Sequence, residues 1–199
     1  MILGTHNSGT GYDLVWWQRP FAWFLHLTSR CQTKTIVEQL NDGVRLFNLQ
    51  ITKYKNKWVF SHGLCIYNIN VQDCIESMKT FSYKLDKMSP IYIQVYLDKN
   101  FITGQDTTGF KEFINDLKKD LEGSNVILLC AFIEGENNYI YNSGRVINSR
   151  EHYWTSTWSK SSNKWIDKLP LPKRHAKLYN KYYKENCTSR YLMLDFYEI

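Results

Sequence analysis

The chain contains no long apolar run: nothing in its 199 residues approaches the stretch of about 20 needed to span a bilayer. It opens Met1-Ile2-Leu3-Gly4, without a basic n-region leading into an apolar h-region, so no secretory signal is visible. The expectation is a protein made and kept in a reducing cytoplasm, its own or a host's. Cysteine is sparse: Cys31, Cys65, Cys74, Cys130 and Cys187 form no C-x-x-C pair and leave an odd one out. That pattern argues against a structural zinc site and against a disulfide framework. Internal repeats, low-complexity tracts and linkers are also missing, so residues 1–199 are expected to form one domain. An arginine-rich arm, a zinc finger and an RNP-like element are all absent, and nothing singles out nucleic acid as a partner.

What is present is the composition of a folded chain, 43% hydrophobic and 22% charged. The net charge of +6 favours anionic partners, whether phosphoinositide headgroups or an acidic membrane surface. Aromatic residues reach 16%; such rings suit sugar stacking or a membrane interface, although most are expected to fill the core.

Strand and helix patterns alternate along the chain. Met1–Gly4 runs into the polar, glycine-rich turn Thr5-His6-Asn7-Ser8-Gly9-Thr10-Gly11. Thr35-Ile36-Val37-Glu38 reads as a capping box, and Gly43 is suited to end that helix in a left-handed conformation. Val44–Ile51 reads as a strand with Leu46, Asn48 and Gln50 on one face and Arg45, Phe47, Leu49 and Ile51 on the other. Two neighbouring polar side chains on one face require a site or water there. A hairpin through Lys55-Asn56-Lys57 to Trp58–Ser61 then places His62-Gly63 at its far end. Asn70 is expected to cap a helix with Val71, Cys74, Ile75, Met78, Phe81 and Leu85 on one stripe. Ile91–Leu97, ending at Asp98, and the nearly all-apolar Val126–Ile133 read as strands, with a helix marked by Phe110, Phe113, Ile114, Leu117 and Leu121 between them. Further strands are expected at His152–Trp158 and Tyr191–Tyr197, and a helix at Lys173–Lys184. This alternation predicts an α/β fold with a mostly parallel sheet, whose chemistry gathers at the strand C-terminal ends. His6, Gln50, Asp98 and Asp195 all fall at or near such ends. A histidine in a glycine-rich turn and one at a hairpin tip are poorly placed for a core role.

The segment Gly4-Thr5-His6-Asn7-Ser8 resembles the opening motif of phosphatidylinositol-specific phospholipase C X domains. It is followed in the same order by Cys31-Gln32, by Glu38-Gln39-Leu40-Asn41-Asp42-Gly43-Val44-Arg45-Leu46-Phe47-Asn48-Leu49-Gln50, and by Ser61-His62-Gly63. The resemblance covers about the first third of the chain and is loose beyond it. It implies a (β/α) TIM-type barrel, small and distorted or incomplete. It also implies a phosphoric diester hydrolase that acts on phosphatidylinositol through a cyclic inositol phosphate. His6 maps to the general base that takes the inositol 2-hydroxyl proton, and His62 to the general acid that protonates the departing diacylglycerol oxygen. Imidazole suits both tasks because its ordinary pKa lies near neutrality.

In that family Asn7 is a calcium or phosphate contact, and the strand carrying Asn48 and Gln50 bears an acid that helps hold calcium in one subgroup and an arginine that replaces the metal in the bacterial one. Here both positions are amides. A phosphoryl-transfer site must offset charge on non-bridging oxygens, which a cation does best. Calcium wants several carboxylate oxygens. No metal ligands are therefore assigned and no cofactor is expected; Asn7, Asn48, Gln50 and Asp98 are read as substrate-binding residues, with Lys53 or Lys99 as candidate substitute cations or plain solvated lysines. Asp98 and Asp195 stay open between orienting a histidine, binding a metal and terminating a strand. His26 and His152 carry no motif.

Trp16, Trp17, Phe21, Trp23 and Phe24 follow the histidine turn. In bacterial relatives this region dips into the bilayer interface, so Trp16 and Trp17 are candidate membrane contacts, against the alternative of packing over a barrel end. The basic set Lys173, Arg174, Lys177, Lys181 and Lys184 is either a solvated face or an attraction to anionic lipid. Besides a hydrolase, the sequence admits an impaired relative that binds an inositol phosphate or a membrane surface, and a barrel used for assembly alone. Nothing in it sets the oligomeric state.

Overall fold

A computed structural model describes residues 2–100, 102–135, 139–143, 173, 176, 177, 180, 181, 184, 185 and 191–198. Its framework is an eight-stranded sheet. The centre is β2 (Leu46–Tyr54), β5 (Ile91–Leu97) and β6 (Val126–Ile133), paired parallel in that order. β5 and β6 are mostly apolar runs suited to burial on both faces, while β2 alternates apolar residues with Asn48 and Gln50. Parallel neighbours need a crossover. Helix α4 (Thr107–Asp120) supplies the one between β5 and β6, and α3 (Val71–Ser82) precedes β5. On the other side β1 (Ile2–Thr5) pairs parallel with both β2 and β8 (Tyr191–Leu194).

Three pairings are antiparallel: β2 with β3 (Lys57–His62), β3 with β4 (Cys65–Asn70), and β6 with β7 (Tyr139–Asn142). The β2–β3 link is a two-residue turn with both residues left-handed, Lys55 at φ 48° and Asn56 at φ 61°. That is the turn whose twist matches its flanking strands, and asparagine tolerates it better than most residues. Among the described residues β7 and β8 do not pair, so the sheet is an open, incomplete barrel. Strand β4, short and running straight into α3, was not expected from the sequence.

The helix ends follow their sequence signals. Thr35 accepts from the Glu38 amide while Glu38 Oε2 accepts from the Thr35 amide at 2.7 Å, capping α2 (Ile36–Asn41), and Gly43 follows at φ 91°. Asn70 accepts from the Gln72 amide at the start of α3, whose Val71, Cys74, Ile75 and Met78 are buried. β8 stops at Leu194, short of the expected Tyr197, because Phe196 turns left-handed at φ 43°. The described residues between 173 and 185 are helical, with Lys173, Lys177, Lys181 and Lys184 exposed and Ala176 and Asn180 buried. Arg174 lies outside the described residues, as do the expected strand His152–Trp158 and Cys187.

The core splits across β2 as the alternation predicts. Phe47, Leu49 and Ile51 join the main cluster beneath α2, α3 and α4, each such side chain contributing about 1.5–3 kcal/mol by burial. On the inner face Leu46, Tyr92, Leu129 and Met193 form a small apolar floor. Register then stacks polar layers above it, Asn48 beside Gln94 and Gln50 beside Tyr96. The inner face changes from apolar to polar toward the strand C-terminal ends.

Candidate active site

β1 and β3 share one edge of β2 and run toward each other along it. β1 is parallel to β2 and ends its pairing at Thr5 opposite Phe47, whereas β3 is antiparallel and pairs Phe60 with Ile51. The next residues of each converge on the stretch of β2 around Asn48–Gln50. Those residues include His6 and His62, whose ring centroids are 6.3 Å apart with planes at 80°. The turn after β1 completes the meeting. Ser8 Oγ accepts from the Asn48 backbone amide at 3.0 Å, and the Asn7 amide donates to Asn48 Oδ1 at 3.3 Å. Glycine is required in this turn: a Cβ on Gly9 would lie 2.1 Å from Phe60 Cγ, and one on Gly11 would lie 1.9 Å from the Lys34 carbonyl oxygen.

Each imidazole is anchored through Nδ1. His6 Nδ1 is 2.9 Å from Oδ1 of Asp195, a fully buried carboxylate one residue past β8. His62 Nδ1 is 2.8 Å from the Ser29 carbonyl oxygen, which can only accept, so this nitrogen carries the hydrogen. Gln32 ties the arrangement together, its Nε2 donating to the backbone oxygens of His6 at 2.9 Å and Leu194 at 2.8 Å. Asn180 Nδ2 donates to the carbonyls of Asp195 and Phe196 at 2.8 and 2.9 Å. Burial pushes the pKa of His62 below the ordinary 6.5, since its charged form gives up solvation; the Ser29 bond works against that shift.

Below the histidines lies a buried amide network. Asn7, left-handed at φ 46°, and Gln50 meet the same Tyr96 hydroxyl, Asn7 through Oδ1 and Gln50 through Oε1 at 2.8 Å. Gln50 Nε2 donates to Asp98 Oδ1 at 2.6 Å and reaches Glu134 Oε2 at 3.5 Å. Burial and the neighbouring Glu134 carboxyl push the Asp98 pKa up to about 7. The four sequence-read contacts Asn7, Asn48, Gln50 and Asp98 are thus brought together beside the histidines. Asn7, Asn48, Gln50 and Tyr96 bring no carboxylate to the network, and the two acids in it, Asp98 and Glu134, face the N–H group of Gln50.

Neither candidate cation joins this network. Lys53 pairs with Asp106 at 2.7 Å and lies over the Trp58 ring, while Lys99 is exposed and contributes its backbone amide to Glu134. Sequence reasoning missed Tyr96 and Glu134, and it left Asp195 without a partner. The signal for Tyr96 was its parity with Tyr92 and Gln94 on one face of β5. Trp16 is 72% exposed, but Trp17 is half-buried and donates to the Tyr54 hydroxyl at 3.1 Å, so only the first is available to a surface. Phe21, Trp23, Phe24 and Leu27 add an exposed apolar strip along α1 (Ala22–Ser29). His26 is half-buried in the same helix.

Residues 24–121 match the family of phosphatidylinositol-specific phospholipase C, X domain. That match spans 98 of the 199 residues, and over that stretch the chain is X-domain-like. The match includes His62, Asn48, Gln50 and Asp98, while the His6 turn precedes it. The fold is similar to that of the phosphatidylinositol-specific phospholipase C from Listeria monocytogenes, with a TM-score of 0.61 at 15% identity over 98% of this chain and 87% of that one. A mutant of the Staphylococcus aureus enzyme of the same name gives a TM-score of 0.63 at 12% identity, covering 98% and 84%. No curated protein matches the sequence. Among the described residues of this X-domain-like chain, no helix is long and apolar enough to cross a membrane.

Proposed function

We propose that this protein is a metal-independent phosphodiesterase of the phosphatidylinositol phospholipase C type. The observation that carries the reading is the pair of anchored imidazoles, His6 and His62, facing each other at the polar end of the barrel. With Nδ1 of His6 committed to Asp195, proton exchange falls to Nε2. His6 takes the proton of the inositol 2-hydroxyl, and that oxygen attacks phosphorus. The bond from phosphorus to the glycerol oxygen breaks, and His62 Nε2 protonates the departing oxygen. The products are a cyclic inositol phosphate and diacylglycerol. Buried Asp195 holds the tautomer of His6 and stabilises the imidazolium that forms, and the amides of Asn7, Asn48 and Gln50 offer hydrogen bonds to the phosphoryl oxygens.

A lipid substrate calls for contact with a surface. The exposed Trp16, Phe21, Trp23 and Phe24 supply amphipathic rings for a peripheral interface, with Ser29, the last residue of α1, touching His62. A second reading, a protein that binds phosphodiesters or membrane but turns over little, is favoured by the neutrality of Asn7, Asn48, Gln50 and Tyr96.

The deciding experiment is release of cyclic inositol phosphate from phosphatidylinositol vesicles, with calcium and with chelator. Turnover that is indifferent to calcium and falls by about 10²–10⁴ in both His6→Ala and His62→Ala supports the enzyme. Absence of product with vesicle binding intact favours the binding protein.

A further inference from the structure

Between the His6 turn, the α1–α2 connection and the end of β8, three metal-ligating side chains of different chemistry converge. His6 Nδ1, Cys31 Sγ and a carboxylate oxygen of Asp195 all lie within 4.8 Å of one another. Among the described residues this is the single cluster of its kind. We propose that these three residues form a binding site for a thiophilic divalent cation of the zinc class, and that its occupation switches the catalytic histidine off.

The donor set selects the ion. One imidazole nitrogen, one sulfur and one carboxylate oxygen suit borderline-soft zinc, whereas calcium and magnesium require a shell of oxygens. A thiolate and a carboxylate together cancel the two positive charges, so the filled site is neutral. That neutrality matters because Cys31 and Asp195 are both fully buried, where a net charge is costly. Tetrahedral bonds of about 2.0–2.3 Å set ligands about 3.4 Å apart. The 2.9 Å separation of His6 and Asp195 has to open by a few tenths of an ångström, and Cys31 has to close on them. His62 Nδ1, 3.8 Å from the same sulfur, is committed to Ser29, leaving three protein ligands and one open position.

The ligands arrive on a braced scaffold. The Cys31 amide donates to Thr10 Oγ1 at 3.0 Å, and its carbonyl accepts from the Phe196 amide at 2.6 Å, which links it to the segment bearing Asp195. Gln32, the next residue, bridges the backbones of His6 and Leu194. His6 is the solvent-side member, its side chain 18% exposed, and gives the ion its way in.

The consequence for chemistry is a change of tautomer. The proposed reaction uses the tautomer in which Nδ1–H donates to Asp195 and Nε2 carries the lone pair. A cation on Nδ1 takes that lone-pair position and leaves the ring proton on Nε2. The thiol proton of Cys31 goes to solvent, one per ion bound, and no redox step is involved. An imidazole protonated at Nε2 cannot accept the hydroxyl proton of a substrate. The inhibitory half of the inference rests on the phosphodiesterase reading; the binding half does not.

The test separates them. The full-length protein, kept reduced with a non-thiol reductant, is titrated with Co²⁺ and then Zn²⁺ while its absorbance is recorded. The expected result is one equivalent of Co²⁺ with a thiolate-to-cobalt charge-transfer band, discharged by Zn²⁺, and a rise in the melting temperature of the wild type. Cys31→Ser abolishes the band and Asp195→Asn weakens binding by at least about tenfold, while Cys74→Ser, Cys130→Ser and Cys187→Ser keep it. If wild type shows no band, or Cys31→Ser retains it, the site is refuted whatever the activity. In the vesicle assay one equivalent of Zn²⁺ then abolishes turnover and chelator restores it. A bound ion with undiminished turnover overturns the switch alone.

Discussion

His6 and Asp195 are separated by 189 positions in the chain and by 2.9 Å in the fold. One follows the first strand, the other follows the last, and the parallel pairing of β1 with β8 brings them level. The carboxylate is wholly buried, so its charge acts on the imidazole through protein and not through water.

Asp195→Asn is therefore expected to leave the fold in place and to lower kcat by about 10³–10⁴, since the amide no longer favours the tautomer with hydrogen on Nδ1. Combined with His6→Ala it should add little further loss, because the two act as a unit. Steady-state kinetics of the three variants decides; additive losses would separate the residues.

His62 makes the pH profile diagnostic. A general acid must be protonated, and burial lowers the pKa of this histidine below 6.5. Lowering the pKa of the required acid moves the alkaline limb of kcat/KM to lower pH, so the free enzyme is expected to lose activity as pH rises through values below 6.5. A plateau extending past neutrality would assign the proton donor elsewhere.

Asp98 links pH to stability with the opposite sign from a paired carboxylate. Its folded pKa of about 7 lies above the ordinary 3.8, so the native state holds a proton that the unfolded chain has released. Its contribution is fully present below 3.8 and is lost as pH rises through about 7. Asp98→Asn is expected to remove this slope, gaining on the order of 1–3 kcal/mol relative to wild type between pH 5 and 8. Urea melts at the two pH values measure it, and parallel profiles would contradict the assignment.

Gln50 already donates to Asp98 and reaches Glu134. Gln50→Arg puts a guanidinium against the same two acids and brings positive charge to the phosphoryl end of the site. Turnover is expected to rise by at least about tenfold, with the Asp98 pKa falling toward the usual carboxylate range. Unchanged turnover would mean that charge at this position does not limit the reaction.

The exposed strip of α1 gives a surface prediction. Trp23→Ala with Phe24→Ala is expected to reduce flotation with anionic vesicles while leaving the melting temperature within a degree or two, as exposed positions are thermodynamically tolerant. Trp17→Ala is expected to do the reverse, lowering stability because its ring packs beside Val15, Val59 and Ile66.

Much of this was legible in the sequence, and for local reasons. The alternation of Leu46, Asn48 and Gln50 against Phe47, Leu49 and Ile51 assigned both faces of β2, because a strand's period of two leaves no other choice. The capping box at Thr35–Glu38 and the cap at Asn70 are self-contained signals of four residues or fewer. Partnerships across the chain were not legible. Nothing near Asp195 says that its carboxylate reaches His6, and Tyr96 reads as one more apolar strand residue until register sets it beside Gln50. β4 was missed because six residues of mixed character, Cys65–Asn70, acquire strand geometry only by pairing with β3. Lys53 was a candidate cation on sequence distance alone, and Asp106, distant in sequence, claims it.

The head-to-head arrangement of β1 and β3 on β2 also bears on the order in which the molecule is completed during synthesis. β1 emerges before both of its partners, yet it pairs with β2 over only Gly4 and Thr5 and with β8 along its whole length. Its lasting partner thus follows every other described strand in chain order. Until Tyr191–Leu194 docks, the first strand has half a berth and His6 has no carboxylate. Reactivity becomes a mark of a docked β8: a molecule in which Tyr191–Leu194 is not yet paired can possess His62, the amides and most of the core, and still lack the carboxylate that orients its base.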